Sequence, residues 1–297
     1  MDVHVRDLRY FVAVAEELSF TKAASDRLFI SQPALSKQIR RLEISLGTAL
    51  FERGHRTVVL TSAGEALLPR ARRIVEDWEE ARRAVSDAAA AQAAVLTVGF
   101  QTGIGRGLIH LATSRMSRLA PGWRILLRQV PWNDPTTGLA GGDTDVAIAW
   151  LPVPETGDLS WRVIVTEDRW IALPSCHPLA DRPVIPFALL LDEPFVALPA
   201  AAGALRDFWL AADLRGRPAR VAAEAETADE ALEAVASGRG VLLLSSGNAE
   251  IYRRDDIVCR PVTGLSPSEL AVVWRTDDRR RAVAAFVEAC APAAEPR

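Results

Sequence analysis

The sequence predicts an all-α N-terminal head carried on a long helix, followed by a C-terminal α/β domain. Three observations carry that prediction. Between residues 8 and 46 apolar side chains recur at helical spacing in three separate runs. From Leu60 to Ala88 small and apolar residues follow in unbroken steps of four and three, the heptad pattern of one long helix. From Val95 onward short apolar runs alternate with helical ones, which predicts an α/β domain with a mainly parallel sheet.

In the head, Leu8, Phe11, Val12, Ala15 and Leu18 make a first amphipathic helix. Phe20, Ala23, Ala24 and Leu28 mark the buried face of a second, and Leu35, Ile39, Leu42 and Leu46 that of a third. Ser31 is placed to cap the third helix, because its hydroxyl can accept from the free N–H groups of the first turn. Pro33 falls in that turn, where a missing N–H costs nothing. The opposite face carries Gln32, Ser36, Lys37, Arg40 and Arg41. Two helices joined by a tight turn, the second capped and bearing amide, hydroxyl and basic groups, form a helix-turn-helix. Such a helix enters the major groove of DNA by its N-terminal end. The same residues also suit a plain helical hairpin with a solvated basic face.

Gly47 is expected to end the third helix, and Leu50 and Phe51 to return to the core. Arg53 and Arg56 then flank a turn containing Gly54, and Thr57 to Leu60 favours a strand. This is the pattern of a wing, a hairpin whose tip lays an arginine against the minor groove. Thr61 or Ser62 caps the next helix, with Glu65 near the capping-box position. Leu67, Ala71, Ile74, Trp78, Ala81 and Val85 form its seam. Two positions per heptad make a narrower stripe than a core helix usually shows, so the seam is expected to pair with a second copy. The run from Ala88 to Ala94 reads as a hinge.

The remainder reads as strands at 94–100, 123–130 and 144–150, with a Gly-rich loop and a helix at 108–119 between the first two. WRVIVTEDRWIALP, EPFVALP, 220–224, VLLLSS and SELAVVW follow as strands. Helices are expected around 204–210, 229–237 and 279–289.

Length and composition set limits. A chain of 297 residues can hold two or three domains with cores that need no staples. No apolar run reaches the length of a membrane span, and MDVHVRDLRYF lacks the pattern of a secretion signal, so a cytoplasmic location without a membrane partner is expected. Cys176, Cys259 and Cys290 are odd in number, far apart and in no CxxC pair. His4, His55, His110 and His177 are scattered. Neither a disulfide framework nor a metal is expected. The net charge is −3, yet residues 1–60 hold nine basic and seven acidic groups. A modestly basic head on an acidic body fits DNA binding by a small module. An enzyme reading would rest on Gly103, Gly105 and Gly107, but their spacing is GxGxG and not the dinucleotide fingerprint GxGxxG. Ser245-Ser246-Gly247 is no nucleophile elbow. No catalytic residues are assigned, and the chain is expected not to be an enzyme.

Head, wing and long helix together resemble the LysR-type transcriptional regulators. The resemblance is carried by LRYFVAVAEELSFTKAA, LFISQPALSKQIRRLEISLGTALFER and VVLTSAGEALL, and more loosely by GDTDVAIAW and SGRGVLLLSS. It implies a winged helix-turn-helix over 1–60, a linker and dimerisation helix over 61–92, and an effector-binding domain over 93–297. That domain is expected to resemble type 2 periplasmic binding proteins: lobe one at about 95–165 plus 270–297, lobe two at about 166–269, with crossing strands near 165–171 and 269–274. The function implied is sequence-specific, effector-modulated regulation of transcription.

Carried over residue by residue, the resemblance assigns base contacts to Gln32, Pro33, Ser36 and Lys37, and the minor groove to Arg53. Many relatives have arginine where this chain has Lys37, and lysine lacks the bidentate fork for guanine. Thr21, Lys22, Arg40 and Arg56 would touch phosphates. The effector, an aromatic compound or a small organic acid, is expected in the interlobe cleft near Thr102, Gly103, Arg106, Trp132, Trp150, Ala202 and Thr227. No cofactor is expected. The implied partners are double-stranded DNA with an interrupted inverted repeat, further copies of the chain as a dimer or tetramer, and RNA polymerase. The alternative is a small-molecule-binding α/β enzyme, or a scaffold with a non-DNA helical head.

Overall fold

The computed structural model describes residues 3–53, 58–103 and 107–291. The chain divides into two compact units, Met1–Ser86 and Asp87–Arg297.

The first unit opens with α1 (Val5–Glu17), α2 (Phe20–Lys22) and α3 (Gln32–Leu46). A two-stranded hairpin of β1 (Phe51–Arg53) and β2 (Val58–Leu60) follows, and then α4 (Ser62–Ala93). Its core is the set of residues that recur at helical spacing. Phe11, Leu35 and Ile39 are fully buried, and the Phe51 ring closes on Phe11 and Phe20 at centroid distances of 5.4 and 5.7 Å. Each such side chain contributes about 1.5–3 kcal/mol by leaving water.

The second helix departs from expectation. Only Phe20–Lys22 is α-helical; Ala23–Arg27 widens into a turn in which the Leu28 N–H reaches the Ala23 carbonyl. The Ser25 hydroxyl donates to the Thr21 carbonyl at 2.9 Å, a local side-chain bond that competes with regular helix. Three anchors then fix α3 and the hairpin. Ser31 Oγ accepts from the Ala34 N–H, Gly47 ends the helix at φ 69°, and Glu43 Oε1 accepts from the backbone N–H of Leu50 at 2.9 Å. Thr61 is the cap of α4: its Oγ1 accepts from Gly64 N–H and donates to the Ala49 carbonyl. Gly64 thereby fills the place a capping-box carboxylate would need, so Glu65 does not close one.

The seam of α4 is divided. Gly64, Leu67 and Ala71 lie in or against the head's own core, with Ala71 fully buried. Ile74, Trp78, Ala81 and Val85 are exposed, Trp78 to 47% and Val85 to 72%. Ala71 is therefore taken up by the head and not open to a second copy as expected, while Leu67 is half-buried against the same core. The expected hinge is corrected too. Alanine is the strongest helix former, and α4 runs unbroken to Ala93 before Ala94 turns at φ 49°.

In the second unit, β3 (Val95–Phe100), α5 (Leu108–Leu119), β4 (Arg124–Gln129), β5 (Val146–Trp150) and β6 (Leu159–Glu167) come first. Next are β7 (Arg169–Pro174), β8 (Ile185–Pro186), β9 (Phe195–Ala197), α6 (Ala204–Trp209), β10 (Val221–Glu224) and α7 (Ala228–Ala236). Then follow β11 (Leu242–Ser245), α8 (Ser246–Ile251), β12 (Ile257–Thr263), β13 (Ser268–Arg275) and α9 (Arg281–Ala289). One sheet has the order β4-β3-β5-β13-β6, and a second β11-β7-β12-β8, with β10-β9 beside it. Two α/β lobes result. The chain leaves the first along β6 and returns along β13, so these neighbours run antiparallel, with Ser268 opposite Glu167.

The sheets are mixed, not mainly parallel: β13 opposes both β5 and β6, and β7 opposes β11 and β12. A strand returning beside the one that left must oppose it. The strand β12 was not legible in the sequence, because Pro261 interrupts the run and removes a ladder donor.

Two consequences are measurable. A Cβ on Gly64 would stand 2.3 Å from the Leu50 carbonyl oxygen, so Gly64→Ala should destabilise the head by about 1–3 kcal/mol in denaturant unfolding. Glu16 joins Arg27 and Arg72. Burial raises its pKa, but the bonds and charges of those two arginines outweigh this and hold the carboxyl below its ordinary value. A depressed folded value stabilises above the unfolded pKa and is lost as pH falls through it. Glu16→Gln should therefore cost up to about 1 kcal/mol at pH 7, where solvent screens the pairs, and progressively less as the pH falls below the ordinary carboxylate range.

Candidate nucleic-acid interface and ligand cavity

The cap at Ser31 exposes the first turns of α3. Gln32, Pro33, Lys37, Arg40 and Arg41 are exposed, as are Thr21 and Lys22 at the start of α2, and Ser36 is half-buried. Gln32 Nε2 donates to Ser36 Oγ at 3.0 Å, which joins these two side chains one turn apart. Among the described residues Lys22, Lys37, Arg40 and Arg41 have no carboxylate partner, whereas Arg9, Arg27 and Arg72 pair with Glu79 and Glu16. The α3 face thus keeps unneutralised cations, whereas Arg9, Arg27 and Arg72 are matched, and such a face suits a polyanion. Arg53 ends β1, so the hairpin stands where a wing is expected. Its side chain and residues 54–57, Arg56 among them, lie outside the described residues.

The second unit holds a cavity between its lobes, enclosing about 40 Å³. Lobe one supplies Gln101, Thr102, Trp132 and Trp150, and lobe two adds Leu205, Trp209, Asn248 and Tyr252. Trp150 and Trp209 meet edge to face at 5.9 Å. Trp150 Nε1 donates to Thr102 Oγ1 at 3.1 Å, and Gln101 Nε2 donates to the Asp134 carbonyl at 2.9 Å. Hydrogen bonds latch the lobes: Gly103 N–H to Tyr252 Oη at 2.5 Å, Trp132 N–H to the Glu226 carbonyl at 2.8 Å, and Asn133 Nδ2 to Glu226 Oε2 at 3.4 Å. Burial pushes the Tyr252 phenol above its ordinary pKa, which the Gly103 N–H opposes and Asp229 reinforces. The phenol is neutral at physiological pH and keeps its proton.

Of the expected ligand contacts, Thr102, Trp132 and Trp150 line this cavity. Gly103 is in the latch. Ala202 is buried in the short turn before α6, and Thr227 caps α7 by accepting from Glu230 N–H; neither lines the cavity. Arg106 lies outside the described residues. The sequence reading missed Trp209, Asn248 and Tyr252. Trp209 follows Phe208 on a six-residue helix too short for a periodic signal, and nothing local marks Asn248 or Tyr252 as facing lobe one.

The crossing point beside the cavity is held by Arg169, which is 2% exposed. It donates to the Ser266 carbonyl at 2.8 Å, Ser266 Oγ at 3.0 Å and the Phe208 carbonyl at 2.7 Å, with its guanidinium 4.3 Å from the Phe208 ring. Burial lowers its pKa, with Asp213 opposing. Burial also pushes the thiols of Cys259 and Cys290 up to about 11 and about 12, which disfavours the reactive thiolate at both. Among the described residues no cluster of His, Cys, Asp and Glu could hold a metal, and no helix is long and apolar enough to cross a membrane.

Comparison with known proteins agrees with this geometry. The family model of the bacterial regulatory helix-turn-helix protein, lysR family, matches residues 5–65, and that of the LysR substrate binding domain matches residues 89–295. The HTH-type transcriptional regulator ShiR of Corynebacterium glutamicum is 35% identical, over 82% of this chain and 83% of its own. The HTH-type transcriptional regulator BudR of Raoultella terrigena is 32% identical, over 96% of this chain and 99% of its own. Among solved structures, full-length CbnR complexed with its target DNA superposes with a TM-score of 0.52 at 28% identity, covering 97% of this chain and 98% of that one. With a capped, cationic helix in its first unit and two latched lobes in its second, the chain belongs to the LysR family, as a DNA-binding transcriptional regulator with an effector-binding domain.

Proposed function

We propose that Gln32, Pro33, Ser36 and Lys37 read base edges in the major groove. Thr21, Lys22, Arg40 and Arg56 hold phosphates, and Arg53 reaches the minor groove. The observation that carries this reading is the set of exposed, unpaired cations on α2 and α3 around the capped start of α3. Glutamine can pair bidentately with adenine, and lysine can donate to guanine. The exposed half of the α4 seam, Ile74, Trp78, Ala81 and Val85, pairs with a second copy, which fits an interrupted inverted repeat as the operator. The effector occupies the cavity between the lobes. Because that cavity is small and latched, a ligand larger than a few waters must part the lobes, and it can thereby change how the protein engages DNA. The chain acts in the cytoplasm and performs no catalysis.

Selection from a random duplex pool at near-physiological salt tests the whole reading. An interrupted palindrome is the expected product, and salt-sensitive binding without a motif would sink it. On the selected site, Gln32→Ala should cost about 1–3 kcal/mol at one base pair and little at the others; equal loss on every sequence would reduce Gln32 to a positioning role. Trp78→Glu should halve the molar mass seen by light scattering, and an unchanged mass would remove Trp78 from the interface.

A further inference from the structure

Among the described residues, the cavity between the lobes is walled by aromatic, aliphatic and neutral polar side chains and by no charged one. Trp132, Trp150 and Trp209 offer ring faces, and Leu198, Leu205 and Leu232 fill between them. One fully buried polar atom in this wall is unmatched. Asn248 is 5% exposed, and its Oδ1 has no hydrogen-bond partner. The backbone of the same residue is satisfied, because its N–H donates to Ser245 Oγ at 3.2 Å. Several neighbouring polar groups are already engaged. Gln101 Nε2 braces the Asp134 carbonyl, Trp150 Nε1 is held by Thr102, and Tyr252 Oη accepts from Gly103.

A buried amide oxygen without a donor is unfavourable until a donor arrives. A carboxylate would do the opposite there. It cannot donate to that oxygen, and it would lose its water with no described cation to offset the loss, only the neutral Tyr252 hydroxyl and Asn248 amide N–H being there to meet it. The wall and the orphan atom together select for a flat, neutral molecule with one N–H or O–H at its edge.

We infer that the effector is an uncharged aromatic compound bearing an N–H or O–H donor, which it presents to Asn248 Oδ1. This deepens the cavity reading of the preceding section and rests on it. Of the two classes expected from the sequence, the aromatic body is kept and the organic acid is not. Entry parts the Tyr252 hydroxyl from Gly103, so that the phenol becomes a second polar group able to meet the ligand.

The test is calorimetric titration of the full chain with three probes: indole, benzofuran (the same outline without the N–H) and benzoate. Indole should bind about tenfold more tightly than benzofuran, and benzoate most weakly. In Asn248→Leu the advantage of indole over benzofuran should vanish. Equal binding of indole and benzofuran to the wild-type chain, benzoate as the tightest probe, or no binding by any of the three would overturn the proposal. The wild-type order decides this even where Asn248→Leu fails to fold, which its melting curve reports. Leu205→Trp, which fills the cavity, separates the two levels of the argument. If it abolishes tight benzoate binding, the site is right and the class wrong; if probe binding survives it, the cavity reading itself fails.

Discussion

The effector half of this protein depends on a buried guanidinium. Arg169 starts the strand by which the chain enters lobe two, and its N–H groups hold Ser266, just before the strand by which the chain returns. The same group bonds the Phe208 carbonyl, and Phe208 precedes the cavity's Trp209. One cation therefore fixes the distance between the two crossings and the position of a cavity wall. Its bonds go to carbonyl and hydroxyl oxygens and the Phe208 ring, so its burial is compensated by hydrogen bonds and a cation–π contact.

In the head the governing constraint is close approach. Gly64 lets the first turn of α4 touch the carbonyl of Leu50, and Thr61 ties the same turn to Ala49. Glu43 meanwhile fastens the last turn of α3 to the start of the hairpin. Recognition helix, hairpin and linker helix are thus joined through a few backbone groups, and Phe51 seals the joint from below. The surface presented by α3 is positioned by bonds that do not involve the exposed residues themselves, which leaves those residues free to differ without cost to the fold.

Much of this was legible in the sequence, for reasons that differ by element. Apolar periodicity marked α1, α3, α4 and α5 because each buries one face, and Ser31 and Gly47 marked the ends of α3 by local chemistry. The widened turn after α2 was hidden, since Ser25 acts through a back-bond that no pattern of hydrophobicity records. The α4 seam was visible, but its division at Ala71 was not, because a heptad does not say which partner covers it. In the cavity, Thr102, Trp132 and Trp150 follow lobe-one strands and could be placed by strand order. Trp209, Asn248 and Tyr252 come from across the crossing, and only the tertiary fold brings them near.

The latch between Gly103 and Tyr252 also bears on how affinity for the effector is set. On the proposed reading an aromatic ring enters this narrow cavity only once the lobes part, so the form that binds it is not the latched one described. The apparent dissociation constant is then the intrinsic one divided by the fraction of molecules already unlatched. On that reading sensitivity is tunable through the latch as well as through the ligand contacts: every change that loosens Tyr252 from Gly103 enlarges the receptive population, and every change that tightens it raises the concentration at which the regulator responds.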